Sequence, residues 1–221
     1  MKKIGMILSL LLFYASNSYS ADLNIDPSAL YLKVYKFAVS TSVNCTNLTT
    51  VITEDNPTFT NMLDLPNFGS GSIPNGTYPC VAIDFSDNIS FVPDATSDSG
   101  NCLSGTTYYL DVCSAASALP VEMSDGTSTT CDDTEQRVTM WLSTASSSLS
   151  GGSSNAFIKP VGASDGDRGL KLLNALVVSG ATSGKFIVNA TDKICDGDNI
   201  TCNGNPSSCE MAPPAFSFSE N

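Results

Sequence analysis

Every one of the eight cysteines in this 221-residue chain lies beyond an amino-terminal stretch built like an export signal. Lys2 and Lys3 supply a positive start, Ile4 to Tyr14 an apolar core, and Ser18-Tyr19-Ser20 before Ala21 a small, polar cleavage region. Residues 1–20 read as a signal peptide and residues 21–221 as a single exported domain. An even cysteine count in an oxidising compartment predicts disulfides, so Cys45, Cys80, Cys102, Cys113, Cys131, Cys195, Cys202 and Cys209 are expected to pair. Each bridge stabilises by roughly 2–4 kcal/mol, chiefly by restricting the unfolded chain. Parity adds a constraint: a serine-rich segment at 143–156 separates five cysteines from three, and both numbers are odd, so at least one bridge should cross it. Structural zinc is the rival use of these thiols. The six-residue gaps between Cys195, Cys202 and Cys209 lack the close Cys-x-x-Cys knuckle of such sites.

Composition narrows the chemistry further. The chain has no histidine, which removes Ser-His-Asp and Cys-His catalysis and every imidazole metal ligand. Ten basic against 22 acidic residues give a formal charge of -12. Removing Lys2 and Lys3 with the signal leaves 8 basic and 22 acidic residues, hence -14. That balance, without a Lys/Arg-rich run, argues against a partner bound through nucleic-acid phosphates. After the signal no apolar run is long enough for a transmembrane helix, and no cysteine directly follows it to carry a lipid. The expected location is secreted, periplasmic or peripherally attached to the cell surface.

Along the exported part, short β-rich runs alternate with polar, glycine-containing turns. Tyr31 to Val39 is an extended run rich in aromatic and β-branched residues and forms the opening strand. Asn75-Gly76 signals a turn; Tyr78 to Phe85 and Ile89 to Val92, joined by Ser86-Asp87-Asn88, read as a hairpin. Pro79 needs an edge or strand-start position, having no N–H to donate. Thr106 to Val112 is a further strand. In Arg137 to Leu142, Val138, Met140 and Leu142 share one face and Arg137, Thr139 and Trp141 the other. Leu170 to Val178, Phe186 to Val188 and Ala215 to Phe218 complete the set. Eight or nine strands predict an all-β, antiparallel β-sandwich with long disulfide-pinned loops and a flexible serine-rich loop at 143–156.

Candidate sites follow from residue chemistry. Asp192, Asp196, Asp198 and Asn199, in a glycine- and cysteine-containing loop, offer oxygens of the kind calcium takes, without the full EF-hand pattern. Tyr108, Tyr109 and Trp141 offer aromatic faces for a carbohydrate or surface protein. Carboxylate catalysis needs no histidine, and a glycosidase-type pair is available in principle among 17 Asp and 5 Glu. Asp98-Ser99-Gly100 matches the short aspartic-protease signature once, whereas that chemistry needs two carboxylates sharing a proton.

Leu32-Lys33-Val34-Tyr35-Lys36, followed after a polar stretch by Ile73-Pro74-Asn75-Gly76-Thr77-Tyr78 and a strand containing Ile83, resembles bacterial exported prealbumin-like or DUF4382-like β-sandwich domains over residues 30–92. The resemblance implies a prealbumin-like or immunoglobulin-like sandwich and supplies no catalytic residues. The expected function is attachment, surface interaction or assembly without catalysis; the alternative is a secreted carboxylate-dependent hydrolase such as a glycosidase.

Overall fold

A computed structural model describes residues 25–64, 73–115, 120–146, 156–162, 168–180, 184–196 and 208–220. The expected signal segment, most of the serine-rich segment, Asp198, Asn199 and Cys202 lie outside them. The described residues are all-β, sandwich-like, and divided among more and shorter strands than the eight or nine expected.

The chain begins with β1 (Pro27–Leu32), β2 (Val34–Ser40), β3 (Thr49–Thr53) and β4 (Thr60–Asn61). Next come β5 (Gly76–Tyr78), β6 (Cys80–Ser86), β7 (Asn88–Pro93) and β8 (Tyr108–Asp111). A small β9 (Pro120–Glu122) and β10 (Ser128–Thr130) hairpin precedes β11 (Arg137–Ser143). The carboxy-terminal part holds β12 (Leu170–Lys171), β13 (Leu176–Val178), β14 (Gly184–Asn189), β15 (Ile194–Asp196), β16 (Cys209–Met211) and β17 (Ala215–Glu220).

Two sheets carry the core. One has the order β4-β1-β7-β8 and the other β12-β11-β6-β2-β3; all neighbours are antiparallel except β11 and β12. The expected opening strand over Tyr31 to Val39 is split at Lys33, with β1 in the first sheet and β2 in the second. The expected hairpin is corrected in the same way. β6 pairs with β2 and β11, whereas β7 pairs with β1 and β8, so the turn between them is a corner where the chain changes sheets. The two crossings lie side by side, since Ser86 donates its N–H to the Lys33 carbonyl at 3.0 Å. Leu170 to Val178 likewise divides into β12 and β13.

Period-two alternation sets the faces. Val138, Met140 and Leu142 point into the main core with Val81, Ile83 and Phe85 from β6 and Val34, Phe37 and Val39 from β2. Leu30, Ile89 and Phe91 meet them from the other sheet. The antiparallel β14–β17 ribbon adds Phe186, Phe216 and Phe218, with Phe186 and Phe216 stacked at 5.8 Å and Phe37 edge-on to Phe186 at 5.4 Å. This core draws on residues from both sides of the serine-rich segment.

Trp141, expected on the second face, lies there, but the outer side of the five-stranded sheet is itself covered. The β9–β10 hairpin crosses it, Trp141 donates its indole N–H to the Glu122 carbonyl at 2.9 Å, and Cys45–Cys80 packs alongside. Gly169 completes this packing. Its φ is 68°, and a Cβ there would stand 2.9 Å from the Trp141 carbonyl oxygen, so a larger residue meets both backbone strain and a clash.

The described bridges are Cys45–Cys80, Cys113–Cys131 and Cys102–Cys209. The last crosses the serine-rich segment, as parity requires. Cys195 is disulfide-bonded as well.

Candidate functional site

The sequence-derived aromatic candidates separate by burial. Trp141 is fully buried, which corrects its expected role as a binding face: a ring sealed beneath the β9–β10 hairpin offers nothing to stack on. Tyr108 is half-buried, stacks on Phe91 at 5.7 Å, and uses its hydroxyl within the fold, donating to the Asn101 carbonyl and accepting from the Leu103 N–H. Tyr109, its neighbour on the edge strand β8, points the other way and is 78% exposed. Of the three, Tyr109 presents a free ring.

The acidic loop also separates. Asp196 is buried and turned towards the 97–101 turn, where it accepts from the Ser99 hydroxyl, the Ser99 N–H at 3.2 Å and the Asn101 amide at 2.9 Å. Burial pushes its carboxyl upwards, but hydrogen bonds from Ser99, Ser97 and Asn101 outweigh that and hold it below the usual carboxylate range. Asp192 is exposed with φ 54°, and its N–H donates to the Asp26 carboxylate at 2.7 Å. Asp198 and Asn199 lie outside the described residues. Among the described residues no group of three or more Cys, Asp and Glu is placed to hold a metal. Ser99 of the protease-like tripeptide thus serves as a latch on Asp196, while Asp98 faces solvent.

A second acidic neighbourhood surrounds the corner between the sheets. Asp87 is completely buried; its Oδ1 accepts from the Gln136 N–H at 2.8 Å, and its Oδ2 has no hydrogen-bond partner. Burial, reinforced by the charge of Asp111, raises its pKa to about 6 despite the Gln136 N–H. Asp111 is raised too, by burial and by Asp133 and Asp132, with the Cys113 N–H opposing. Above the corner, Glu135 accepts from Lys33 at 2.5 Å and from Ser86 at 2.8 Å.

Between the sheets lies a cavity of about 140 Å³. Its deep wall is apolar and buried, including Leu30, Ile83, Phe85, Met140 and Phe157. Among the described residues its polar lining consists of Asp111, Ser114 and Glu210, and these keep partial solvent exposure. Two disulfides frame that end. Asp111 and Ser114 flank the Cys113–Cys131 bridge, while Glu210 follows Cys209 and is fixed by the Ser208 hydroxyl at 2.8 Å.

The chain matches no family model, no curated protein and no solved structure. The chemistry of the cavity and the surface therefore carries the functional argument. Sequence reasoning missed the cavity because its lining comes from distant strands, and each contributing residue reads as ordinary core. The one local signal was the placement of Asp111 and Glu210 next to half-cystines.

Proposed function

We propose that the chain is a secreted or cell-envelope, non-enzymatic protein for attachment, surface interaction or assembly. Exposure of Tyr109 on a sheet edge is the observation that carries this reading: a rigid aromatic face on a disulfide-stapled frame contributes large contact area at low entropic cost. The disulfides fit an oxidising compartment, and no described helix is long and apolar enough to cross a membrane. The test is glycan-array and surface-protein capture with the disulfide-intact chain. A specific partner bound at least tenfold more weakly by Tyr109→Ala is the expected outcome; absence of any such partner removes the reading.

One observation favours the hydrolase alternative. Asp111, with its raised pKa, and Glu210 both line one cavity, and carboxylate catalysis draws on two such acids. The walls oppose it: a sugar ring brings hydroxyls that these apolar side chains cannot hydrogen-bond, and burying them unpaired costs about 1–3 kcal/mol each. Turnover of a glycoside panel that disappears in Asp111→Asn would reverse the choice.

A further inference from the structure

We propose that the cavity between the sheets is a binding site for a small primary amine with an apolar tail, the tail among Leu30, Phe85, Met140 and Phe157 and the ammonium at Asp111 and Glu210. This goes beyond the surface reading and uses none of its residues.

Size, wall chemistry and charge each limit the occupant. An apolar cavity of about 150 Å³ stays dry and accepts a benzene-sized guest, so a space of about 140 Å³ suits a tail of roughly six carbons. It is too small for a two-chain lipid. Met62, Met140 and Met211 contribute to the wall, and their unbranched thioether chains adjust to irregular guests at little cost. The depth of the cavity offers a polar head no partner, so the head must remain where Asp111, Ser114 and Glu210 keep contact with solvent. Two carboxylates there attract an ammonium and repel a carboxylate. Among the described residues no Lys or Arg lines the cavity to reverse that preference. The bridges beside Asp111 and Glu210 hold the polar end in place, reducing the ordering required on binding.

The test uses disulfide-intact protein labelled with ¹³C at the methionine methyls and titrated with hexylamine, hexanol and hexanoate. Hexylamine is expected to shift the methyl signals of Met62, Met140 and Met211 and to show nuclear Overhauser contacts to them. Met123, which packs near Thr139 beyond the cavity, serves as the internal control. Hexylamine should bind at least tenfold more tightly than hexanoate, with hexanol between them. Asp111→Asn combined with Glu210→Gln should reduce the amine-over-carboxylate preference to less than threefold while hexanol binding persists. No methyl response to any of the three probes at 10 mM, roughly the weak limit for so few contacting atoms, overturns the site. Equal affinity for amine and carboxylate overturns the head-group assignment, and contacts confined to Met123 or Tyr109 overturn the location. Tyr109→Ala should leave hexylamine binding unchanged, so failure of the surface reading and failure of this one give different results.

Discussion

Asp84 and Asp87 lie three residues apart, both almost completely buried, yet the protein treats their charges in opposite ways. Asp84 sits on the covered outer face of the five-stranded sheet. It accepts from Arg137 at 2.7 Å, Thr139 at 2.7 Å and Ser124 at 2.8 Å, and Lys36 reaches Ser124 in turn at 3.0 Å. Asp87, at the corner, has backbone N–H support on one oxygen and another carboxylate nearby. Burial is therefore not the variable that separates them. What differs is whether the neighbouring strands deliver donors: β11 places Arg137 and Thr139 on the Asp84 face, whereas the corner supplies backbone groups and acids.

Removing the better-paired charge should have the larger effect. Asp84→Ala leaves Thr139 and Arg137 without their acceptor and should destabilise by about 3–5 kcal/mol, measured by urea denaturation. Should it prove neutral, the contrast between the two sites collapses. At Asp87 the outcome depends on pH. Its native pKa of about 6 stands above the ordinary 3.8, so between those values the folded chain holds a proton that the unfolded chain has released. Stability from this group is therefore fully present below about pH 4 and is lost as pH rises through 6. The stability difference between the wild type and Asp87→Asn should change by up to about 3 kcal/mol from pH 4 to pH 8, with the variant gaining relative to the wild type as pH rises. A flat difference would show that the corner relieves its charge by another route.

Smaller changes sharpen the contrast. Ser124→Ala removes one donor from Asp84 and frees Lys36; a loss of about 2 kcal/mol is expected in the same denaturation assay. Lys33→Met, which breaks the more exposed pair with Glu135 above the corner, should cost less than about 1 kcal/mol, and less still at high salt. A larger loss there would show that Glu135 helps fix the sheet crossing through Ser86.

The same stretch of chain explains what was legible in the sequence. Alternation from Arg137 to Leu142 places Asp84's partners on one face and the core residues on the other, because a strand side chain has just two directions. Parity likewise required a bridge like Cys102–Cys209. The sheet crossings were not legible. No proline or glycine interrupts Tyr31 to Val39, and a strand that leaves one sheet for another keeps its extended backbone and apolar pattern. Ser86-Asp87-Asn88 has turn chemistry suited equally to a hairpin and to a corner; the strands that decide between them, β1, β2, β8 and β11, all lie outside that local stretch. Trp141 was correctly placed on its face, but its burial depends on a hairpin whose short strands leave little trace in composition. The cavity was hidden for a related reason, since an unfilled volume is a property of how strands meet and belongs to no residue alone.

Cys102–Cys209 spans 107 residues, against 35 for Cys45–Cys80 and 18 for Cys113–Cys131. A chain made from its amino terminus presents the two shorter pairs long before Cys209 exists. Throughout that interval Cys102 is an unpaired thiol eleven positions from Cys113, and a thiolate there attacks whichever sulfur is within reach. β16 and β17 follow the other described strands, bringing Glu210 and Phe216, so the space between the sheets is lined in full only after they emerge. Until then its apolar walls stand open, and thiol exchange that trapped Cys102 early would leave the protein with its sheets in place and its interior unsealed.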